Sequence, residues 1–90
     1  MLEVVLSHRF KRDLRVAKRR GCPLDKLEEV VNTLAQQLPL AEKYRDHSLA
    51  REYKGFRECH IEPDWLLLYR VEKTAVALFL FRTGTHADLF

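Results

Sequence analysis

Four side chains that can move protons fall in the second half of this 90-residue sequence: His47, His60, Asp64 and His86. Arg82, Trp65 and Phe90 stand close to them. Imidazole gives and takes a proton near neutral pH. Asp64 can orient an imidazole, stabilise its charge, or act as a base. Arg82 offers a planar fork that matches phosphate. Cleavage of RNA through its own 2′-OH needs such a set: a base for the 2′-OH proton, a cation for the phosphorane charge, and an acid for the departing 5′-oxygen. Trp65 and Phe90 can stack on a base, an interaction worth ~1–3 kcal/mol in single-strand binders.

Each residue also has an ordinary structural reading. A histidine at a strand end is commonly a surface or hydrogen-bonded group, and His8 is read as a surface residue with no role. Asp64 follows Pro63 and can serve as a turn former. Arg82 can pair with an acidic neighbour, and Trp65 opens an apolar strand and can be core. The spacings of His47, His60, Asp64 and His86 match no compact ligand motif, so no metal site is assigned.

The elements that must position these groups are legible in the pattern. Glu3 to Leu6 is short and β-rich, and Ser7 can cap a helix beginning at the next residue. Phe10, Leu14 and Ala17 form one helical stripe, which Gly21 stops. Pro23 fits the first turn of a second helix, with Asp25 near its positive end. Leu24, Leu27, Val30, Val31, Leu34 and Leu38 continue at helical spacing until Pro39. Residues 41 to 53 show no clear period and read as an ordered, charged connection.

Strands are then expected over 56–61 and 65–71, joined across Glu62-Pro63-Asp64. A turn at Glu72-Lys73-Thr74 leads to a third strand over 75–81, apolar on both faces and therefore expected at the centre. Arg82 to Thr85 breaks that strand, and 86–90 is a tail or one turn of helix. The fold class is α+β, in the order β-α-α-β-β-β plus tail, as a single domain over 1–90. Short connections imply an antiparallel sheet, with the α-hairpin covering one face and the other face left partly open.

Composition narrows the class further. Hydrophobic residues at 47% and charged residues at 32% describe a folded soluble domain. No apolar run approaches the roughly 20 residues of a membrane span, so no membrane partner is expected. The first residues lack a cationic leader and do not read as a signal peptide. Cys22 and Cys59 form no disulfide framework and read as reduced thiols in a cytoplasmic protein. Residues 8–20 hold Arg9, Lys11, Arg12, Arg15, Lys18, Arg19 and Arg20 against Asp13 alone, a net +6 in a chain of net +3. That concentration suits a polyanion such as nucleic acid. A solvated helix face has the same composition, and both readings stay open.

Three runs carry a resemblance to a known family. They are Asp46-His47-x-Leu49, the stretch from Lys54-Gly55-Phe56-Arg57-Glu58-Cys59-His60 through Ile61-Glu62-Pro63-Asp64-Trp65-Leu66-Leu67-Leu68-Tyr69, and the final Arg82-Thr83-Gly84-Thr85-His86-Ala87-Asp88-Leu89-Phe90. Together they resemble the YafQ family of bacterial type II toxins, within the RelE/ParE superfamily. The likeness is strong from Tyr44 onward and weaker over the helices. It implies a RelE-like fold and a ribosome-dependent mRNA endonuclease that cuts in the A site through the 2′-OH. The product would be a 2′,3′-cyclic phosphate, formed with no cofactor.

By motif position the resemblance puts catalysis on His47, His60, Asp64 and His86, with His86 as general acid and Asp64, with His60 or His47, as base and support. It puts RNA contacts on Trp65, Arg82 and Phe90. Arg9, Lys11, Arg12, Arg15, Lys18 and Arg19 gain ribosomal RNA as their polyanion. A cognate antitoxin is implied as partner, with operator DNA met only through it. The family often has Pro where Ser48 stands and Trp where Tyr53 stands. The alternative on the same fold is a ParE-like gyrase inhibitor or a binding-only relative. Such a protein has no use for a His/Asp cluster, whereas a metal-dependent nuclease would lose activity in chelator.

Overall fold

In the computed structural model, which describes residues 1–90, the chain opens with strand β1 (Glu3–Leu6). Helix α1 (His8–Arg19) starts at once because Ser7 caps it: its Oγ accepts from Phe10 N–H at 2.9 Å. The helix ends in a Schellman motif. Cys22 N–H donates to Ala17 O at 3.0 Å and Gly21 N–H to Lys18 O at 3.1 Å, with Gly21 in the left-handed region at φ 76°. Helix α2 (Leu24–Ala35) closes in the same way, through Gln37 N–H to Leu34 O and Leu38 N–H to Thr33 O. The apolar spacing alone carries α2 to Leu38. The left-handed Gln37 (φ 59°) ends it three residues earlier and leaves Leu38 exposed.

Five strands form one sheet. After β1 come β2 (His47–Ser48), β3 (Arg57–Glu62), β4 (Trp65–Glu72) and β5 (Ala77–Gly84), in the spatial order β1-β5-β4-β3-β2. The sheet is mixed, which corrects the antiparallel expectation: β1 runs parallel to β5, with Leu6 opposite Leu80. The short-connection rule orders only strands adjacent in sequence, and β1 reaches its neighbour through the whole chain. The middle place belongs to β4, with β5 beside it. Accordingly Trp65 to Tyr69 are all buried.

The connection over 41–53 contains 3₁₀ turns at Glu42–Tyr44 and Arg51–Tyr53 and the two residues of β2. Short turns and a two-residue bridge have no periodicity to read. The final strand also runs further than expected. Leu68 pairs with Arg82 but Tyr69 with Leu80, so Phe81 is an extra, bulged residue, and the ladder then continues to Gly84 opposite Leu66. Ser7 Oγ donates to the bulged Phe81 carbonyl at 2.6 Å. Thr83 Oγ1 donates to Leu66 O at 2.7 Å inside the sheet.

Strand alternation sorts the side chains. Cys59, Ile61, Trp65, Leu67, Tyr69, Leu78 and Leu80 join Phe10, Ala17, Leu27, Val30 and Leu34 in the main core under the helices. Leu66 and Leu68 point the other way and meet Leu89 of the short helix α3 (His86–Leu89). The helices therefore cover one face, and α3 covers only part of the second, as the sequence implied. No helix is long and apolar enough to cross a membrane. Leu67 has no exposed surface. Leu67→Ala is expected to cost ~2–5 kcal/mol, read as a lower urea midpoint with an unchanged m-value.

Candidate active site

His47 sits on a strut. Asp46, beside it, accepts a hydrogen bond from the buried Tyr69 hydroxyl and a fork from Arg57, Nε to Oδ1 at 3.3 Å and Nη2 to Oδ2 at 3.2 Å. Burial, and then the hydrogen bond to Asp46, raise the Tyr69 phenol above its ordinary range, so it stays a donor. Arg45 adopts a left-handed conformation (φ 48°) that turns its carbonyl toward the imidazole. His47 Nδ1 donates to that carbonyl at 2.7 Å. A carbonyl only accepts, so Nδ1 holds the hydrogen and Nε2 is left for exchange.

His47 lies opposite Glu58 on β3. Glu58 is 6% exposed. Its Oε1 stands 3.5 Å from His47 Nε2 and 3.6 Å from His60 Nε2. His60, two residues along the same face, donates from Nδ1 to Pro63 O at 3.2 Å. One buried carboxylate is thus bracketed by two imidazoles, and both of these present Nε2. A buried carboxylate requires such neighbours.

His86 is placed from the other end of the sheet. Its backbone N–H and its Nδ1 both donate to Asp64 Oδ1, at 3.0 and 2.7 Å. These bonds, the backbone one first, hold the Asp64 carboxyl below its usual range. Helix α3 begins at Thr85 with a capping box: Thr85 Oγ1 accepts from Asp88 N–H, and Asp88 Oδ2 accepts from Thr85 N–H. Arg20, at the end of α1, grips the same Asp88 at 2.6 and 3.2 Å. Gly84 gives the Asp88 carboxylate its space, since a Cβ there would lie 2.9 Å from Oδ2. The ring centroids of His47 and His60 are 6.5 Å apart, and those of His60 and His86 5.7 Å.

The structure therefore brings His47, His60, Asp64 and His86 to one edge of the uncovered face. Phe90 stands next to them in the chain, 59% exposed, with its ring edge-on to Tyr53 at 5.6 Å. Two expected contacts fall elsewhere. Trp65 is 5% exposed inside the main core and presents no face for a base. Arg82 points to the helix side, where Asp13 takes its fork (Nε to Oδ2 at 2.7 Å, Nη2 to Oδ1 at 3.1 Å) and also accepts from Thr83 N–H. With its acid turned inward to Arg82, α1 leaves Arg9, Lys11, Arg12, Arg15, Lys18 and Arg19 exposed and free of ion pairs.

Sequence reasoning missed Glu58, Asp46 and Arg45. Alternation along β3 places Glu58 on the same face as His60, and that period was the available signal for it. The Asp46 strut needed the fold, because its partners lie 11 and 23 residues away. A cleft of about 540 Å³ opens beside His60 and is lined by Lys43, Tyr44 and Arg45. Arg45 is exposed there. The arrangement is suited to moving protons between imidazole nitrogens and a carboxylate beside an exposed guanidinium. The same atoms have metal-ligand character, since one ligating atom from each of Glu58, His60 and His86 lies within 4.8 Å of the others.

The Arg20 grip also gives a pH signature. It is the largest cause holding the Asp88 carboxyl well below the usual carboxylate range. The fold favours the anion, so this stabilisation is complete above the ordinary carboxylate value of ~3.9 and is lost as pH falls through the lower folded value. Arg20→Ala should lower Tm at pH 7, and its gap to wild type should close progressively below about pH 4 in thermal melts followed by circular dichroism.

Comparison with known proteins places the fold and the family. The profile for "Bacterial toxin of type II toxin-antitoxin system, YafQ" matches residues 2–90. The mRNA interferase toxin YafQ of Escherichia coli (strain B / BL21-DE3) is 39% identical over 89 residues, covering 98% of this chain and 95% of that protein. A metal-bound toxin from Helicobacter pylori superposes with a TM-score of 0.95 at 46% identity, over 100% of both chains. A structure of the E. coli DinJ–YafQ complex superposes with a TM-score of 0.90 at 37% identity, over 100% of this chain and 99% of that one. The match over nearly the whole chain shows that this chain belongs to the YafQ family of bacterial type II toxin–antitoxin systems.

Proposed function

We propose that this chain is an endoribonuclease that cuts mRNA in the ribosomal A site and so stops translation. One observation supports the reading: the His86 ring, fixed through Nδ1 on Asp64, lies 5.7 Å from the His60 ring, with a ring nitrogen within 4.8 Å of ligating atoms of His60 and the buried Glu58. A base in the Glu58–His60–His47 group takes the 2′-OH proton. The 2′-oxygen bonds to phosphorus and the P–O5′ bond breaks. His86 Nε2 gives its proton to the departing 5′-oxygen. The products are a 2′,3′-cyclic phosphate and a 5′-OH, so atoms and protons balance without a cofactor.

Asp64 serves as the support of His86, because both of its bonds run there. Arg45 is the cation we assign to the phosphorane, since Arg82 is taken by Asp13. The uncompensated face of α1 rests on ribosomal RNA. A relative's complex with DinJ supports a cognate antitoxin as partner, with operator DNA reached through it. The site of action is the cytoplasm, where ribosomes translate.

The test is primer extension on mRNA bound to programmed ribosomes. Wild type should cut within the A-site codon, while His86→Ala and Glu58→Gln should each fall ~10²–10⁴-fold in rate with the fold intact. Uncut mRNA with wild-type protein would sink the nuclease reading. Full toxicity of a His60/Asp64/His86 triple alanine variant would instead favour a ParE-like action. Ribosome affinity should fall steeply with salt, and removing one phosphate-neutralising cation from α1 should reduce the log–log slope by ~0.7–0.9.

The metal-bound relative adds a second expectation. An ion on Glu58, His60 and His86 would occupy the atoms that exchange protons. Added zinc should inhibit cleavage, and chelator should restore it. Loss of activity in chelator alone would overturn the metal-free route.

A further inference from the structure

Proton transfer leaves most of the cleft beside His60 without a task. Its volume of about 540 Å³ falls in the range of ordinary small-ligand sites, roughly 300–1,000 Å³. One wall is the turn that carries Tyr44 and Arg45, and the same turn supplies the carbonyl that fixes His47 Nδ1. The end of β3, with His60 and Ile61, forms another. The first half of α2 forms a third, with Lys26 and Glu29.

The lining groups divide by what already holds them. Lys26 is spent on Glu62, Nζ to Oε2 at 3.0 Å. Glu29 is exposed, and its carboxylate meets no cation and no hydrogen-bond donor. Tyr44 is half-buried at the fringe of the main core, and its hydroxyl makes no hydrogen bond. Lys43 and Arg45 are exposed and make no ion pair, with Lys43 Nζ lying 5.1 Å over the Tyr44 ring. The cleft thus offers one free acceptor, one hydroxyl that both donates and accepts, and two free cations. Cations serve the backbone of an RNA, whereas acceptors and hydroxyls read the edge of an unstacked nucleobase. An acidic peptide would satisfy the cations but set a like charge against Glu29.

The catalytic groups give the direction. His60 lines the cleft and Arg45 holds His47, while His86 lines no part of it. In the proposed cleavage the His47 and His60 group takes the 2′-OH proton. We infer that the cleft is a reading site for the nucleotide that carries this hydroxyl, just 5′ of the scissile phosphate. Glu29 accepts from an exocyclic amino group of the nucleobase, the Tyr44 hydroxyl completes the contact with its edge, and Lys43 holds that nucleotide's own 5′-phosphate. The inference rests on the RNA cleavage proposed for this chain and adds its specificity determinants. Adenine, cytosine and guanine carry an amino group and uracil does not, so the site disfavours uridine.

The experiment uses programmed ribosomes whose mRNA carries adenosine, purine riboside (adenosine without its amino group) or uridine just 5′ of the cut. Wild type should lose ~10–100-fold in kcat/KM from adenosine to purine riboside, the range of a hydrogen bond to a charged group. In Glu29→Ala the two substrates should become equal. Lys43→Ala should raise KM for all three alike with kcat little changed, and reduce the log–log salt slope by ~0.7. Both residues are exposed, so neither variant threatens the core. Equal cutting of adenosine and purine riboside by wild type would overturn the site, as would full discrimination retained in Glu29→Ala. Wild-type kinetics in both variants with weakened antitoxin binding would assign the cleft to protein contact and equally overturn it. Absence of any cleavage by wild type would remove the nuclease reading and the site with it, so the two failures are distinct.

Discussion

The bond from His86 to Asp64 joins two parts of the chain that no local rule brings together. Asp64 lies in the two-residue turn between β3 and β4, and His86 is the first residue of α3. For Nδ1 and the backbone N–H of one residue to reach a single carboxylate oxygen, the end of β5 must arrive beside the start of β4. Leu66 opposite Gly84 provides that register, and the bulge at Phe81 sets it. Ser7 and Thr83 in turn take the polar groups at this end of the ladder. Much of the packing in the sheet therefore serves one 2.7 Å contact.

The acids near the site divide into two kinds. Asp13, Asp46 and Asp88 are each held by a guanidinium fork together with a hydroxyl or a backbone N–H, while Asp64 serves as the support of His86. They act as joints. Asp13 fastens α1 to β5, Asp46 fastens the 41–53 connection to β3 and β4, and Asp88 fastens α3 to α1. Glu58 differs in facing only imidazole nitrogens. A carboxylate whose neighbours can themselves lose and gain protons is placed for chemistry, whereas one held by guanidinium is fixed in its charge.

The helices and strands with a clear period were legible, as were Ser7 as cap and Gly21 as stop. The three histidines and Asp64 were legible as a set because their residue types and motif spacing are distinctive. The fate of Trp65 and Arg82 was not. Both sit beside the site in sequence, but strand alternation turns Trp65 into the core, and Asp13 draws Arg82 to the helix side. Composition alone cannot reveal which acid neutralises which arginine across 69 residues. The parallel pairing of β1 escaped for a similar reason, since its partner strand is nearly the whole chain away.

That pairing bears on how the molecule comes into being on the ribosome. Glu3 waits for Ala77, and Leu6 for Leu80, so the sheet cannot close while the chain is still growing through its middle. Contacts of such sequence separation form late and slowly. The strand that completes the scaffold, β5, is also the one that delivers His86 to its place. Scaffold and chemistry thus depend on the same stretch of chain, and the site stays incomplete until His86 has been synthesised.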